Sequence, residues 1–309
     1  MIAIAAVLWA LVIGAAIFVF YVRYIEPARL VVTERALHFE DLPEALRGLR
    51  IVHLSDFHCH DEPSIEWSSR EAVRLAMEQE PDLIAISGDL FDTCEMATEC
   101  SEQLEGLAAP LGVWAAPGNH DRAHEDPFKC LEAPQEDIDT LREVLGGLGI
   151  RLLANRNERL SVGGAEIAIA GSDEFAFGRD DVEAALEGTE SADFTILVCH
   201  TPDLLDDPHA AGADLVLCGH THGGQIQLPG IGAPWAPVWR DRRRASGLLQ
   251  ADGQLAYVSR GVASATRARF NCHPEVVVLT LERGEETQAR EIPVRRDDPS
   301  RPGREEEPS

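Results

Sequence analysis

Positive charge, aromatic side chains and paired cysteines are all scarce in this chain of 309 residues. Lysine and arginine together number 27 against 53 acidic residues, a formal charge of −26 that repels a polyanion along most of the surface. No nucleic-acid partner is expected. Cysteine appears at Cys59, Cys94, Cys100, Cys130, Cys199, Cys218 and Cys272, never as a CxxC pair, and such an odd, scattered set fits a reducing compartment better than a disulfide framework. Aromatic residues are only 6% of the chain, yet 45% of it is apolar, which excludes wholesale disorder. No repeat of fixed period and no long Gly/Pro linker interrupts the stretch from Leu30 to about Arg283, so one large domain is expected there.

Charge is also missing from Met1 to Val22, and the apolar run ends at Arg23. As a helix it reaches roughly 33 Å, enough to cross a hydrocarbon core about 30 Å thick. A cleaved signal peptide usually carries a basic segment, a shorter apolar core and a small-x-small cleavage site. Here no basic side chain precedes the run, and Tyr21-Val-Arg-Tyr-Ile follows it. The expectation is a single-pass anchor in the cell membrane over residues 1–24. Arg23, Arg29 and Arg35 all follow the run and none precedes it, so the positive-inside rule places the body of the protein in the cytoplasm.

What the chain does have is a series of short, β-branched apolar runs, each closed by Gly, Pro, Asp or His. Ile51 to Leu54, Leu83 to Ser87, Val113 to Ala116, Ile167 to Ala170, Thr195 to Cys199, Leu215 to Cys218, Leu255 to Ser259 and Val276 to Leu281 read as buried strands. Helical spacing appears between them, around Ala72 to Met77 and from Ile138 to Leu148. The alternation indicates an α/β domain.

Five of these runs end in metal-capable side chains: Ser55-Asp56-Phe57-His58, Gly88-Asp89, Gly118-Asn119-His120-Asp121, His200 and Gly219-His220-Thr221-His222. Strand carboxyl ends form the ligand-binding edge of open α/β sheets, where groups from separate strands converge. The Asp-x-His and His-x-His spacings let two side chains at one strand end turn toward one ion or two neighbouring ions. Asp56, His58, Asp89, Asn119, His200, His220 and His222 make seven donors, too many for one catalytic ion that keeps a position open. Two ions sharing one carboxylate would use them all.

These blocks, DxH, GD, GNH(D/E), H and GHxH in that order, resemble the calcineurin-like metallophosphoesterase superfamily. The run from Gly219 to Ile226, Leu228-Pro-Gly, Tyr257-Val-Ser-Arg-Gly and Arg269-Phe-Asn-Cys-His-Pro-Glu are similar to its membrane-anchored YkuE/YaeI-like branch, which includes UDP-diacylglucosamine pyrophosphate hydrolases. The resemblance implies a two-sheet sandwich flanked by helices over residues 25–283; the charged, proline-bearing stretch 284–309 reads by its composition as a disordered tail. The resemblance also implies Asp56, His58 and His222 on one ion, Asn119, His200 and His220 on the other, and Asp89 bridging. His120 is then the acid or phosphoryl-oxygen stabiliser, and Asp121 the group that orients it. Paired cations would acidify a water between them to make the attacking hydroxide, and would clamp the phosphoryl oxygens. The donor set of nitrogen and oxygen without thiolate favours Mn²⁺, with iron or zinc as alternatives.

The expected function is a phosphodiesterase or pyrophosphate hydrolase at the membrane, acting on a phosphate ester such as the lipid-linked UDP-diacylglucosamine. The alternatives are a phosphomonoesterase, or a non-catalytic membrane-anchored phospholipid-binding protein. Asp92 follows Gly88-Asp89-Leu-Phe without the arginine of a GDxVDRG block, which argues against a protein phosphatase. Cys59, Cys199 and Cys218 adjoin proposed ligands but read as core thiols, His60 reads as a solvated loop residue, and His53, His124, His209 and His273 show no partner pattern. Between Trp235 and His273 seven arginines (240, 242, 243, 244, 260, 267, 269) face only Asp241 and Asp252. That basic island, with Trp235 and Trp239 beside it, fits phosphate counter-charge and a solvated or membrane-facing surface equally well.

Overall fold

The computed structural model describes residues 2–122, 135–239, 241–251, 254–263, 268–285, 287 and 289–292. An apolar helix, α1 (Ile2–Phe20), opens the chain and continues as a π-helical turn over Tyr21–Ile25. It is long and apolar enough to cross a membrane, and none of it is buried. Then come β1 (Val31–Phe39), β2 (Arg50–Leu54), α2 (Pro63–Glu78), β3 (Leu83–Ser87), α3 (Met96–Cys100), β4 (Val113–Ala116), α4 (Gln135–Gly147) and β5 (Ile150–Leu152). The second half contributes β6 (Arg156–Val162), β7 (Ala165–Gly171), α5 (Val182–Leu186), β8 (Phe194–Val198), β9 (Leu215–Cys218), β10 (Gly247–Ala251), β11 (Gln254–Val258), β12 (Glu275–Arg283) and β13 (Arg290–Glu291).

The strands form two mixed sheets, ordered β1-β12-β2-β3-β4-β5 and β13-β10-β11-β9-β8-β7-β6. Within the first, β2 through β5 are parallel, and within the second β7, β8, β9 and β11 are parallel. Strand alternation decides the layers. Ile51, Leu83, Ala85 and Trp114 meet Ile167, Ile196, Val198, Leu215 and Leu217 in a core between the sheets. The intervening residues Val52, Leu54, Ile84 and Ile86 point outward onto Ala72, Val73 and Ala76 of α2 and Leu141 and Leu145 of α4. On the other outer face Leu197, Val216 and Val258 pack on Val182 and Leu186 of α5 and on the following loops. Both faces of each central strand are apolar because both are covered, which is why the runs read as continuous rather than alternating.

The expected two-sheet sandwich flanked by helices, with an apolar helix at the N-terminus, is therefore the architecture adopted. The segment read as a charged tail from residue 284 contains β13, which pairs with β10 through Leu249 and Arg290. Residues 293–309 of that tail lie outside the described residues.

Candidate metal centre

In register, parallel pairing brings the carboxyl ends of β2, β3 and β4 level with one another, as Leu54 opposite Ile86 and Ser87 opposite Ala116 show. The chain leaves each of these ends abruptly. Asp56, His58, Asp89, His220 and His222 all adopt positive φ, from 47° to 69°. For a residue with a side chain that backbone costs on the order of 1–3 kcal/mol and persists only where surrounding structure enforces it. The enforcement is visible in loop-to-loop bonds: the amide of Asp56 donates to the carbonyl of Gly88, and that of His58 to Asp89, both at 3.0 Å. Gly118 is glycine by necessity, since a Cβ there would sit 2.2 Å from Asp89 Oδ1.

Three overlapping groups of ligand atoms result, each with its atoms within 4.8 Å of one another: Asp56, His58 and His222 at one end, Asp89, His200 and His220 at the other, and His58, Asp89 and His120 linking them. Asp89 Oδ2 lies between them, 3.6 Å from His58 Nε2 and 3.1 Å from His200 Nε2. Its other oxygen accepts the His120 amide at 2.9 Å. The imidazoles are oriented from behind: His200 Nδ1–H donates to the Ser87 carbonyl (2.7 Å) and His222 Nδ1–H to that of Ala263 (3.0 Å). On His222, which burial keeps neutral, Nε2 is thereby left as a lone-pair donor facing the cluster, whereas Asp89, against burial, lifts His200 well above its usual range.

Electrostatics separates these histidines. Burial, reinforced by charge on His200, pushes His220 down to about 3, and burial with His58 and Arg269 holds His222 well below its usual range. Both are thus neutral, as a metal ligand must be. Burial opposes charge on His120 too, but Asp89 and Asp92 outweigh it and lift that ring to about 9. For Asp89, burial is overcome by His200, His120 and His58, which hold its carboxyl well below the carboxylate range.

Residues 49–224 match the model of the calcineurin-like phosphoesterase family. The chain belongs to this family. Over 84% of its length it is 31% identical to the phosphodiesterase YaeI of Escherichia coli (strain K12), of which it covers 92%. It is 30% identical to the uncharacterized metallophosphoesterase YkuE of Bacillus subtilis, covering 88% of that protein, again over 84% of this chain. A third relative, the UDP-2,3-diacylglucosamine pyrophosphatase LpxG of Chlamydia trachomatis, is 27% identical over 84% of this chain and 91% of its own. This calcineurin-like phosphoesterase is accordingly a metal-dependent phosphoester hydrolase.

The residues present fit a pair of cations. His58 Nε2 and His222 Nε2 are 3.3 Å apart, and His220 Nδ1 and His200 Nε2 3.1 Å, so ring nitrogens from separate strand ends converge within reach of a shared cation. Asn119 Oδ1 is buried with no hydrogen-bond partner, which is costly unless a cation or substrate group satisfies it.

One expected role fails. Asp121 does not orient His120; it is fully buried and accepts the Gly118 amide at 2.8 Å and the Phe91 amide at 3.0 Å, bracing the loop backbone. His120 Nδ1 is held instead by Asp92, at 2.9 Å from its carbonyl and 3.3 Å from its carboxylate, which also lies 3.2 Å from His58 Nδ1. Asp92 went unread as a site residue, although its place three residues after Asp89 was a usable signal. The arginine island divides as well. Arg244 is buried and paired bidentately with Asp206 at 2.8 and 3.0 Å, Arg260 is paired with Glu275, and buried Arg269 donates to the carbonyls of Arg260 and Ala263. These three hold loops together, Arg242 and Arg243 are exposed, and Arg240 and Arg267 lie outside the described residues. Cys59, Cys199 and Cys218 are buried thiols, and burial pushes Cys59 up to about 12, far from a reactive thiolate.

Proposed function

We propose that this chain is a membrane-anchored hydrolase of phosphodiesters or pyrophosphates, with its catalytic body on the cytoplasmic side of the membrane and a lipid-linked substrate. The observation that carries the hydrolytic part is the placement of the Asp89 carboxylate between two Asp/His clusters delivered by four strand ends, those of β2, β3, β8 and β9. Asp56, His58 and His222 hold one divalent cation, Asn119, His200 and His220 the other, and Asp89 both. Residues 1–24 form the anchor and the domain begins at 25. Manganese suits a donor set of carboxylate, amide and imidazole, and iron and zinc are the competitors.

When bound, the cation pair supplies a water acidified to a nucleophile near neutral pH and counter-charge for the phosphoryl oxygens. The chain's own residues do the rest. His120, which the charges of Asp89 and Asp92 keep protonated against burial and whose ring lies beside His58 and Asp89, is the group that donates to a leaving oxygen or to a phosphoryl oxygen. Asp92 fixes its ring and that of His58, and Asp121 keeps the Gly118–His120 turn closed against Phe91. The lipid-linked substrate rests on likeness to LpxG and on the apolar N-terminal helix.

The test is metal analysis of purified full-length protein together with turnover of bis(p-nitrophenyl) phosphate and of UDP-diacylglucosamine. Hydrolysis of both, with two equivalents of metal, is expected. Absence of turnover with every divalent ion overturns the hydrolase, and turnover of the soluble diester alone overturns the lipid-linked substrate.

A further inference from the structure

The loop that leaves the last histidine pair reverses the usual rule of burial. Between Ile226 and Trp239 the small side chains Ala233 and Ala236 are buried, 7% exposed each, packed with Ala245 and Val238. The large ones face outward: Ile231 is 63% exposed, Trp235 67% and Trp239 68%. The loop is firmly built, with Leu228 and Gly232 paired across a tight turn. It also packs against the site, since a Cβ on Gly224, two residues after His222, would meet the Trp235 carbonyl at 2.4 Å. Large apolar side chains exposed together on one ordered loop mark an interaction surface.

Its neighbour identifies the occupant. Gln225 and Gln227 bond on both sides to the backbone of Phe270, whose ring stacks edge-on against Phe18 of α1 at 5.3 Å. The amide of Arg269 donates to the carbonyl of Val22, and the amide of Cys272 to the buried carboxylate of Glu26, just past the helix. Beyond residue 25, the large apolar side chains that are exposed among the described residues are five in this loop and Trp67. Trp67 itself lines a cavity of about 100 Å³ with Arg23, Tyr24 and Arg269 at the same junction. The exposed large apolar side chains of the body thus lie on segments that meet the end of the helix, through Phe270 in one case and the Trp67 cavity in the other. Exposed Arg23 and Arg242 flank these side chains, in a protein whose net charge is −26. Tryptophan beside arginine at the end of an apolar helix is the composition of a headgroup boundary.

We infer that the Ile226–Trp239 loop docks on the surface of the same bilayer that α1 enters, seating Ile231, Trp235 and Trp239 among the headgroups and upper acyl chains. This rests on the anchor proposed above and deepens it. The metal site is tied to that junction by short links: His222 Nδ1 donates to the Ala263 carbonyl, which also accepts from Arg269 at 2.7 Å, and Arg269 bonds Val22. Docking therefore holds the site at headgroup level, where the phosphoester of a lipid lies and where a soluble substrate gains nothing.

The experiment reconstitutes the full chain into vesicles of phosphatidylcholine and phosphatidylglycerol carrying bromine near the carbonyl end of the acyl chains. Emission from Trp235 and Trp239 is obtained as the difference between wild type and Trp235→Phe/Trp239→Phe, and emission from Trp9 as the difference from Trp9→Phe. Loss of the Trp235/Trp239 emission on brominated lipid, with protection from aqueous iodide, is expected. Emission unaffected by brominated lipid overturns the proposal: quenched by iodide, the loop is in water; shielded from iodide, a second copy or another protein covers it. Trp9 separates the premises, because quenching of Trp9 alone leaves the anchor standing without the docking, and no quenching of either removes both. Turnover of bis(p-nitrophenyl) phosphate reads the hydrolase independently of these outcomes.

Discussion

The middles of β2, β3, β4, β8 and β9 and the few residues that follow them are almost equally buried, yet differ in composition and in backbone. Ile51, Leu83, Trp114, Ile196 and Leu217 are essentially inaccessible, apolar and extended. Only a few residues further on, Asp56, Asp89 and His200 are no more than 2% exposed, and the loops bend through positive φ. Apolar packing in the first region stabilises the fold without direction. In the second, buried charge and strained backbone are tolerated because the sandwich beneath holds the strand ends in register. A site made this way stores its geometry in the sheets and its chemistry in the rim.

If that division is right, the sharpest break comes from Asp89→Ala. Removing the carboxylate shared by both clusters is expected to abolish turnover and to strip metal from both positions, read by elemental analysis, while thermal unfolding still shows a folded sandwich. His120→Ala comes next, with a loss of about 10²–10⁴-fold in kcat for removal of a general acid. Both metals should remain, and metal loss in this variant would contradict the role given to His120. Within the core, Trp114→Ala leaves a cavity and is expected to destabilise by about 3–5 kcal/mol in denaturant unfolding. The kcat per folded molecule should stay unchanged, and a change would mean that the two regions are not separable.

Asp92→Asn probes the positioning of the rim. It keeps the shape but weakens the grip on His58 and His120, and a loss of about 10–100-fold in metal affinity or activity is expected. If the carboxylate holds the charge on His120, the alkaline limb of the pH–rate profile should also move to lower pH, a change a merely structural role would not give. The smallest effect concerns His53, which sits on β2 behind the rim with Nε2 2.8 Å from Ser87 Oγ. Burial lowers it to about 3 from an ordinary value of 6.5, so it is neutral in the fold. A depressed folded value means that stability is complete above 6.5 and is lost as pH falls toward 3, by at most about 1.4 kcal/mol per pH unit for one proton. His53→Gln should flatten that slope below pH 6.5 in thermal unfolding, and an unchanged slope would assign the acid sensitivity to other groups.

The strands that could be read in advance are the central ones. The runs at Leu83–Ser87, Val113–Ala116 and Leu215–Cys218 coincide with β3, β4 and β9, because strands covered on both faces must be apolar at every position. The apolar pattern shows neither the four sheet edges, β1, β5, β6 and β13, nor β10 beside one of them. The reason is visible in β6, Arg-Asn-Glu-Arg-Leu-Ser-Val, where no residue is buried and polar side chains break the apolar pattern. The helices α2 and α4 showed their period, whereas the five-residue helices α3 and α5 are too short to display one.

Asp56, His58, Asp89, His200, His220 and His222 were visible in the sequence as polar side chains directly after apolar runs, and the fold brings their ligand-capable atoms together. Which acid partners which base was not readable there. Asp121 is adjacent to His120 in the chain and turns back to its own loop, while Asp92 reaches His120 across from another strand end. Likewise the arginines formed one island by count, but folding buried Arg244 and Arg269 as ties between loops and left Arg242 outside. Side-chain chemistry is a local property that a residue carries wherever it goes. Pairing and exposure depend on where separate segments meet, and in this protein the meeting places are set by the register of two sheets and by the helix at which the chain begins.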